Sequence, residues 1–126
     1  MPIEAIILDK LAPAVGPFSP AVRAGGFVFV SGNIGLDPAT DLLVPGGIEA
    51  QTEQAIANVS ATLKAAGLSL KYVVRVGVYL DDMTNYAGMN PVYARHFTRP
   101  FPARTAIGVA ALPPGAAVEF DLIAHG

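Results

Sequence analysis

Cysteine is absent from all 126 residues. Disulfides, zinc–thiolate centres and thiol nucleophiles are therefore excluded, and a chain without disulfides fits a reducing compartment. Charge is also scarce, at 14% of residues, with a formal net charge of −2 and no basic stripe. That argues against a broad nucleic-acid or anionic-membrane surface, which needs a cationic excess. No apolar run reaches transmembrane length, because Gly, Pro and charges interrupt each candidate. The short apolar run near the N-terminus has no basic region before it and is bracketed by Glu4 and Asp9, so it does not read as a signal peptide. A cytoplasmic protein that binds neither nucleic acid nor membrane is the expectation. Other signatures are missing too. His96 and His125 stand alone, with no HExxH or Ser–His–Asp pattern, and the Gly-Gly pairs lack phosphate-loop or dinucleotide spacing. Asp81-Asp82 reads as a helix cap, since no other metal ligand lies at a telling distance in sequence.

What is abundant is apolar surface. Hydrophobic residues make up 52% of the chain, and a domain this small buries only a limited share of its own surface. Burial in an oligomer is favoured over a monomer with a tight core. The length suits a single domain over residues 1–126.

Ile3–Leu8 reads as an edge strand, and the Pro-rich stretch Ala12–Pro20 as a stiff loop. Ala21–Ala24 and Phe27–Ser31 flank Gly25-Gly26, the pattern of a β-hairpin. Gly32–Gly47 reads as a loop. Ile56, Val59 and Leu63 form one apolar stripe of a helix over Ile48–Ala66, stopped by Gly67. Tyr72–Leu80 is an internal strand, with Val74, Val76, Val78 and Leu80 on one face. A second helix, capped by Asp82 or Thr84, carries Tyr86, Met89, Tyr93 and Phe97 at core spacing. Pro91 either kinks it or marks a later first turn. Strands follow over Thr105–Val109 and Ala117–Ala124. The order βββαβαββ gives an α+β domain, one sheet with two helices on one face and an opposite face in need of cover.

Four residues stand out chemically. Arg104 opens a strand behind Pro102, and a guanidinium on a rigid support can grip a carboxylate through two parallel bonds. It reads equally as an interface arginine paired with a carboxylate such as Glu119. Glu119 interrupts an apolar strand, either on a solvated face or, if desolvated, as an acid/base group. Ser31 and Asn90 suit local turn or cap hydrogen bonds as well as ligand contacts.

Together these stretches resemble the RidA/YjgF/L-PSP family of enamine/imine deaminases. The matching segments are AVGPFSPAV (14–22), FVSGNIGLDPAT (29–40), KAAGLSL (64–70), VYLDDMTNYAGMNPVYARHF (78–97), FPARTAIGVAALP (101–113) and VEFDLIA (118–124). The resemblance implies a mixed sheet of chorismate-mutase-like, YjgF-type fold and a homotrimer with clefts between subunits. It also implies hydrolysis of 2-aminoacrylate-type imines and enamines to 2-keto acids and ammonia, with no metal or organic cofactor. The family's substrate-binding arginine falls on Arg104, its water-activating carboxylate on Glu119, and its cleft serine and asparagine on Ser31 and Asn90. A backbone contact falls near Ala106. Phe18 stands where the family commonly has a tyrosine, and Ala106 where it often has a cysteine, which puts substrate preference in question. Competing functions are a non-catalytic trimer that binds a small carboxylate or a protein, a deaminase dedicated to an aminomuconate-like compound, and the ribonuclease activity often attached to the family, against which the acidic composition weighs.

Overall fold

The computed structural model describes residues 2–6 and 16–126. The end of the first expected strand and the start of the Pro-rich loop lie outside the described residues. The elements are β1 (Glu4–Ile6), β2 (Ala21–Ala24), β3 (Phe27–Asn33), β4 (Leu36–Asp37), β5 (Leu42–Leu43), α1 (Gly47–Ala65), β6 (Val73–Leu80), α2 (Tyr86–His96), β7 (Ala103–Gly108) and β8 (Val118–His125). Short 3₁₀ turns precede β6 and α2.

Six strands form one mixed sheet in the order β1-β2-β3-β8-β6-β7. Every neighbouring pair is antiparallel except β6 and β7, which run parallel on either side of α2. That connection obeys the rule that parallel neighbours need a long crossover, here a helix. The expected α+β class is therefore observed, with one correction. The segment expected to be a loop after β3 holds a second, two-stranded ribbon, β4–β5. Asp37 builds its turn: its carboxylate accepts from the Ala39 amide and its carbonyl from the Asp41 amide. A ribbon of two-residue strands is too short to show a period in sequence.

The α1 stripe is as expected, with Ile56, Val59 and Leu63 fully buried. Gly67 follows at φ 80°, and the Leu68 amide reaches back to the Leu63 carbonyl, the bonding of a left-handed helix stop. Polar residues on α1 tie down the loops around it. Gln51 donates to the Gly115 carbonyl and accepts from the Ala117 amide, fixing the turn before β8. Asn58 Nδ2 donates to the carbonyls of Ile34 (3.1 Å) and Leu36 (2.9 Å). Asn58→Ala strands both carbonyls, so we expect about 2 kcal/mol of stability lost. The readout is a lower denaturant midpoint at unchanged slope.

The core lies between the helices and one sheet face. Val118, Phe120, Leu122 and Ala124 of β8 meet Val28 and Val30 of β3 and Val76, Val78 and Leu80 of β6 there, all of them buried. Tyr93 of α2 stacks on Phe97 (4.4 Å between ring centres) and lies 6.3 Å from Phe120, placing α2 on the same face. In β6 the expected alternation fails at its start. A bulge between Val73 and Arg75 turns Val74 outward, and Val73 is buried instead. Tyr86 also departs from the core role expected of it and is exposed. The opposite face of the sheet bears exposed Phe27, Phe29 and Ile107.

Candidate functional site

β7 is one of the two edge strands of the main sheet. Its register pairs Arg104 with Val76 and Ala106 with Val78, and both valines are buried beneath the helices. Arg104 therefore projects to the helix side. Its guanidinium carbon sits 4.7 Å from the Tyr93 ring centre and 5.6 Å from that of Tyr86, and its Nη2 donates to the Tyr86 hydroxyl at 3.0 Å. A cation over an aromatic face is attracted by the ring quadrupole, so the guanidinium is oriented without a carboxylate. Among the described residues Arg104 makes no salt bridge. With Asn90, Ala94, Phe101 and Pro102 it lines a cleft of about 340 Å³.

The edge also exposes backbone donors. The Val109 amide donates to the Leu80 carbonyl. In a parallel ladder, alternate residues of a strand face the partner, so the N–H groups of Arg104, Ala106 and Gly108 point away from β6. The Ala106 methyl packs against the core, while its amide points outward from the edge.

Glu119 stands elsewhere. It pairs with Tyr79 across β6–β8, on the face away from the helices. Its neighbours there are Tyr79, Leu112, Pro113 and Asp121. The carboxylate lies directly over Gly32, where a methyl group would collide with it. Partial burial, and secondarily the charge of Asp121, pushes the Glu119 carboxyl above its ordinary value. Beside it the Tyr79 hydroxyl donates to Asp121 at 3.0 Å. Burial and that bond raise the Tyr79 phenol as well.

Ser31 belongs to this second group. It lines a cavity of about 380 Å³ with Ser19, Phe29, Arg75, Tyr79 and Asp121. Its hydroxyl donates to the Ser19 carbonyl at 2.7 Å, which ties the loop carrying exposed Phe18 to β3. The bond joins residues twelve apart, so it ties two segments together and is not the local turn or cap bond expected of Ser31.

The six residues singled out from sequence divide into two groups. Arg104, Asn90 and Ala106 lie at the β7 edge on the helix side. Glu119 and Ser31, with the Phe18 loop, lie on the other face. An Arg104–Glu119 ion pair within the chain is ruled out by that placement. Neither histidine joins either group: His96 pairs with Glu53 at 2.8 Å, and His125 packs edge-on against Phe27. No cluster of three metal-ligating side chains occurs among the described residues, and no described helix is long and apolar enough to cross a membrane. Tyr86 was missed because its spacing matches the core residues Met89, Tyr93 and Phe97. Its place in the first turn of α2, four residues before Asn90, was the available signal.

A cation held on aromatic rings beside free backbone amides can grip a small carboxylate. The family model described as Endoribonuclease L-PSP matches residues 9–126. The RutC family protein of Pyrococcus horikoshii is 43% identical over 122 residues, 97% of each chain. The 2-iminobutanoate/2-iminopropanoate deaminase of Capra hircus is 43% identical over 123 residues, 97% of this chain and 90% of the relative. Among solved structures, RidA from the Antarctic bacterium Psychrobacter sp. PAMC 21119 superposes with a TM-score of 0.91 at 42% identity, covering 98% of this chain and 99% of that one. Escherichia coli TdcF with bound serine superposes with a TM-score of 0.89 at 31% identity, covering 98% of each. The chain belongs to the RidA/YjgF/L-PSP family.

Proposed function

We propose that this protein hydrolyses reactive 2-imino and 2-enamino acids of the 2-aminoacrylate type, releasing a 2-keto acid and ammonia, in clefts between copies of the chain. One observation carries the proposal. The arginine is poised with free donors at a sheet edge, while the partly buried carboxylate stands on the opposite face of the same sheet. Only an edge of one copy set against the open face of another unites them. The exposed Phe27, Phe29 and Ile107 on that face supply apolar surface for the contact. A homotrimer with three such clefts fits this requirement, as closed cyclic symmetry gives every copy the same neighbour.

In the proposed mechanism Arg104 and the Ala106 amide hold the substrate carboxylate, fixing the imine carbon for attack. Glu119 takes a proton from water as the oxygen bonds to the carbon of the protonated imine. The resulting carbinolamine receives that proton on nitrogen; as the C–N bond breaks ammonia leaves, and the hydroxyl proton passes to the Glu119 carboxylate and on to solvent, leaving the keto acid. A carboxylate held above its ordinary value is a stronger base than a solvated one, which suits a group that must accept and return a proton. Ser31, Asn90 and Phe18 would line the cleft walls and set which side chains enter.

The deaminase name of relatives at 43% identity supports the reading, and serine bound to TdcF is a small amino acid carrying the same carboxylate. The endoribonuclease description fits less well with a net charge of −2. The test generates 2-aminoacrylate from serine with a pyridoxal-phosphate-dependent dehydratase and follows pyruvate. Release faster than the spontaneous reaction supports the proposal. Thermal stabilisation by pyruvate or serine without turnover makes the protein a carboxylate-binding module instead.

A further inference from the structure

We propose that Tyr86 is a positioning residue of the carboxylate clamp: its neutral hydroxyl holds the Arg104 guanidinium in place for a ligand, and its phenolate takes the guanidinium for itself. The proposal rests on Arg104 being the clamp.

The geometry starts from an exposed tyrosine in a first helical turn, where packing gives no reason for an aromatic hydroxyl. Its oxygen accepts from Arg104 Nη2 at 3.0 Å. The guanidinium has five N–H donors in a fixed fork, so one bond to a neutral acceptor orients the fork and leaves donors for a carboxylate. The Tyr93 ring, 4.7 Å from the guanidinium carbon, provides a second, uncharged contact. Neither neighbour competes by charge, which is what a clamp for anions requires.

The same contact is sensitive to pH. A hydrogen bond from Asn90, and secondarily the charge of Arg104, holds the Tyr86 phenol below its ordinary value of 10.0. The groups facing it are Arg104 from β7 and, on its own helix, Asn90, while Tyr93 lies against the same guanidinium. Tyr93 does not share the titration, since burial pushes its phenol upward. Asp82, in the turn before α2, is engaged by the Thr84 amide and held in its ionised form. Below its own value Tyr86 is a neutral acceptor. Above it the phenolate is an anion in contact with the guanidinium and competes with any ligand carboxylate.

The experiment measures pyruvate binding by calorimetry at pH 7 and pH 10, in wild type and Tyr86→Phe. Pyruvate has no amine, so its charge is constant over that range. Wild type is expected to lose at least about twofold in affinity by pH 10, where more than half of Tyr86 is ionised. Tyr86→Phe is expected to bind roughly fivefold more weakly at pH 7, having lost a hydrogen bond to a charged group, and not to change between the two pH values. Ultraviolet titration adds a readout that needs no ligand. The phenol missing in Tyr86→Phe should ionise below pH 10 in wild type and shift upward in Arg104→Ala. Wild-type-like binding by Tyr86→Phe, the same alkaline loss in both proteins, or a phenol indifferent to Arg104→Ala would overturn the proposal. Turnover of 2-aminoacrylate by the same preparations separates the two ideas. Turnover with an indifferent Tyr86 removes only this inference. The expected binding pattern without turnover removes only the deaminase reading.

Discussion

Arg104→Ala is expected to lower kcat/KM for 2-aminoacrylate by about a hundredfold or more, to near the spontaneous rate. Two effects combine in that loss. A charge-assisted, bidentate grip on the carboxylate disappears, and with it the alignment of the imine carbon against water. The fold should survive, because Arg104 is only half-buried and its partners are the Tyr86 hydroxyl and two aromatic rings. Arg104→Lys keeps the charge and loses the fork, so it should recover only a minor part of the activity. Initial rates of pyruvate release, with circular dichroism as the control for folding, check both variants. Full activity in Arg104→Ala would remove the clamp from the mechanism.

Glu119→Gln carries the second large effect, about a hundredfold in kcat, the usual scale for a lost general base. It also changes the pH profile. The Glu119 carboxyl lies above 4.5 because burial, and then Asp121, disfavour its ionised form. The carboxylate is the active form of a base, so wild-type activity should rise with pH through that elevated value and fall away on the acid side. Glu119→Gln should be low and flat across the same range. Gly32→Ala tests the same group without touching it. The new methyl meets the end of a flexible side chain, so the protein should fold while the carboxylate is pushed from its seat. Activity should drop about tenfold or more, in keeping with the cost of misplacing a catalytic group. An unchanged profile in Glu119→Gln would dismiss it as the base.

Local patterns were legible in the sequence where one physical cause dominated. The α1 stripe of Ile56, Val59 and Leu63, the Gly67 stop and the hairpin around Gly25-Gly26 each follow from spacing or from backbone freedom, and each is present. The apolar character of β6 announced an internal strand, and it does lie between β8 and β7. The failures occurred where neighbours decide. The bulge before Arg75 that turns Val74 outward depends on β8, which lies more than forty residues downstream. Tyr86 shares the spacing of core residues but begins the helix where it meets β7, so Arg104 decides its role.

The candidate site shows the same limit. The alternation of β8 placed Glu119 opposite in sense to Phe120, and the strand opening at Arg104 was recognisable. Whether the two side chains share a face depends on the parallel β6–β7 register and the antiparallel β6–β8 register together. No periodicity within either strand contains that information. The family resemblance brought Arg104 and Glu119 into one mechanism, and the fold sets them on opposite faces of the chain.

The direct test of that division is to combine two inactive proteins. Chains carrying Arg104→Ala and chains carrying Glu119→Gln are co-expressed with different tags, and mixed oligomers are purified on both. A cleft that takes its arginine from one copy and its glutamate from the next is intact wherever a Glu119→Gln chain offers its edge to an Arg104→Ala chain. In a three-membered ring that carries both kinds of chain this is one cleft of the three, about a third. A divided site in a trimer predicts pyruvate release at about a third of the wild-type rate, although each variant alone stays near background. Mixed oligomers that remain at background would contradict it.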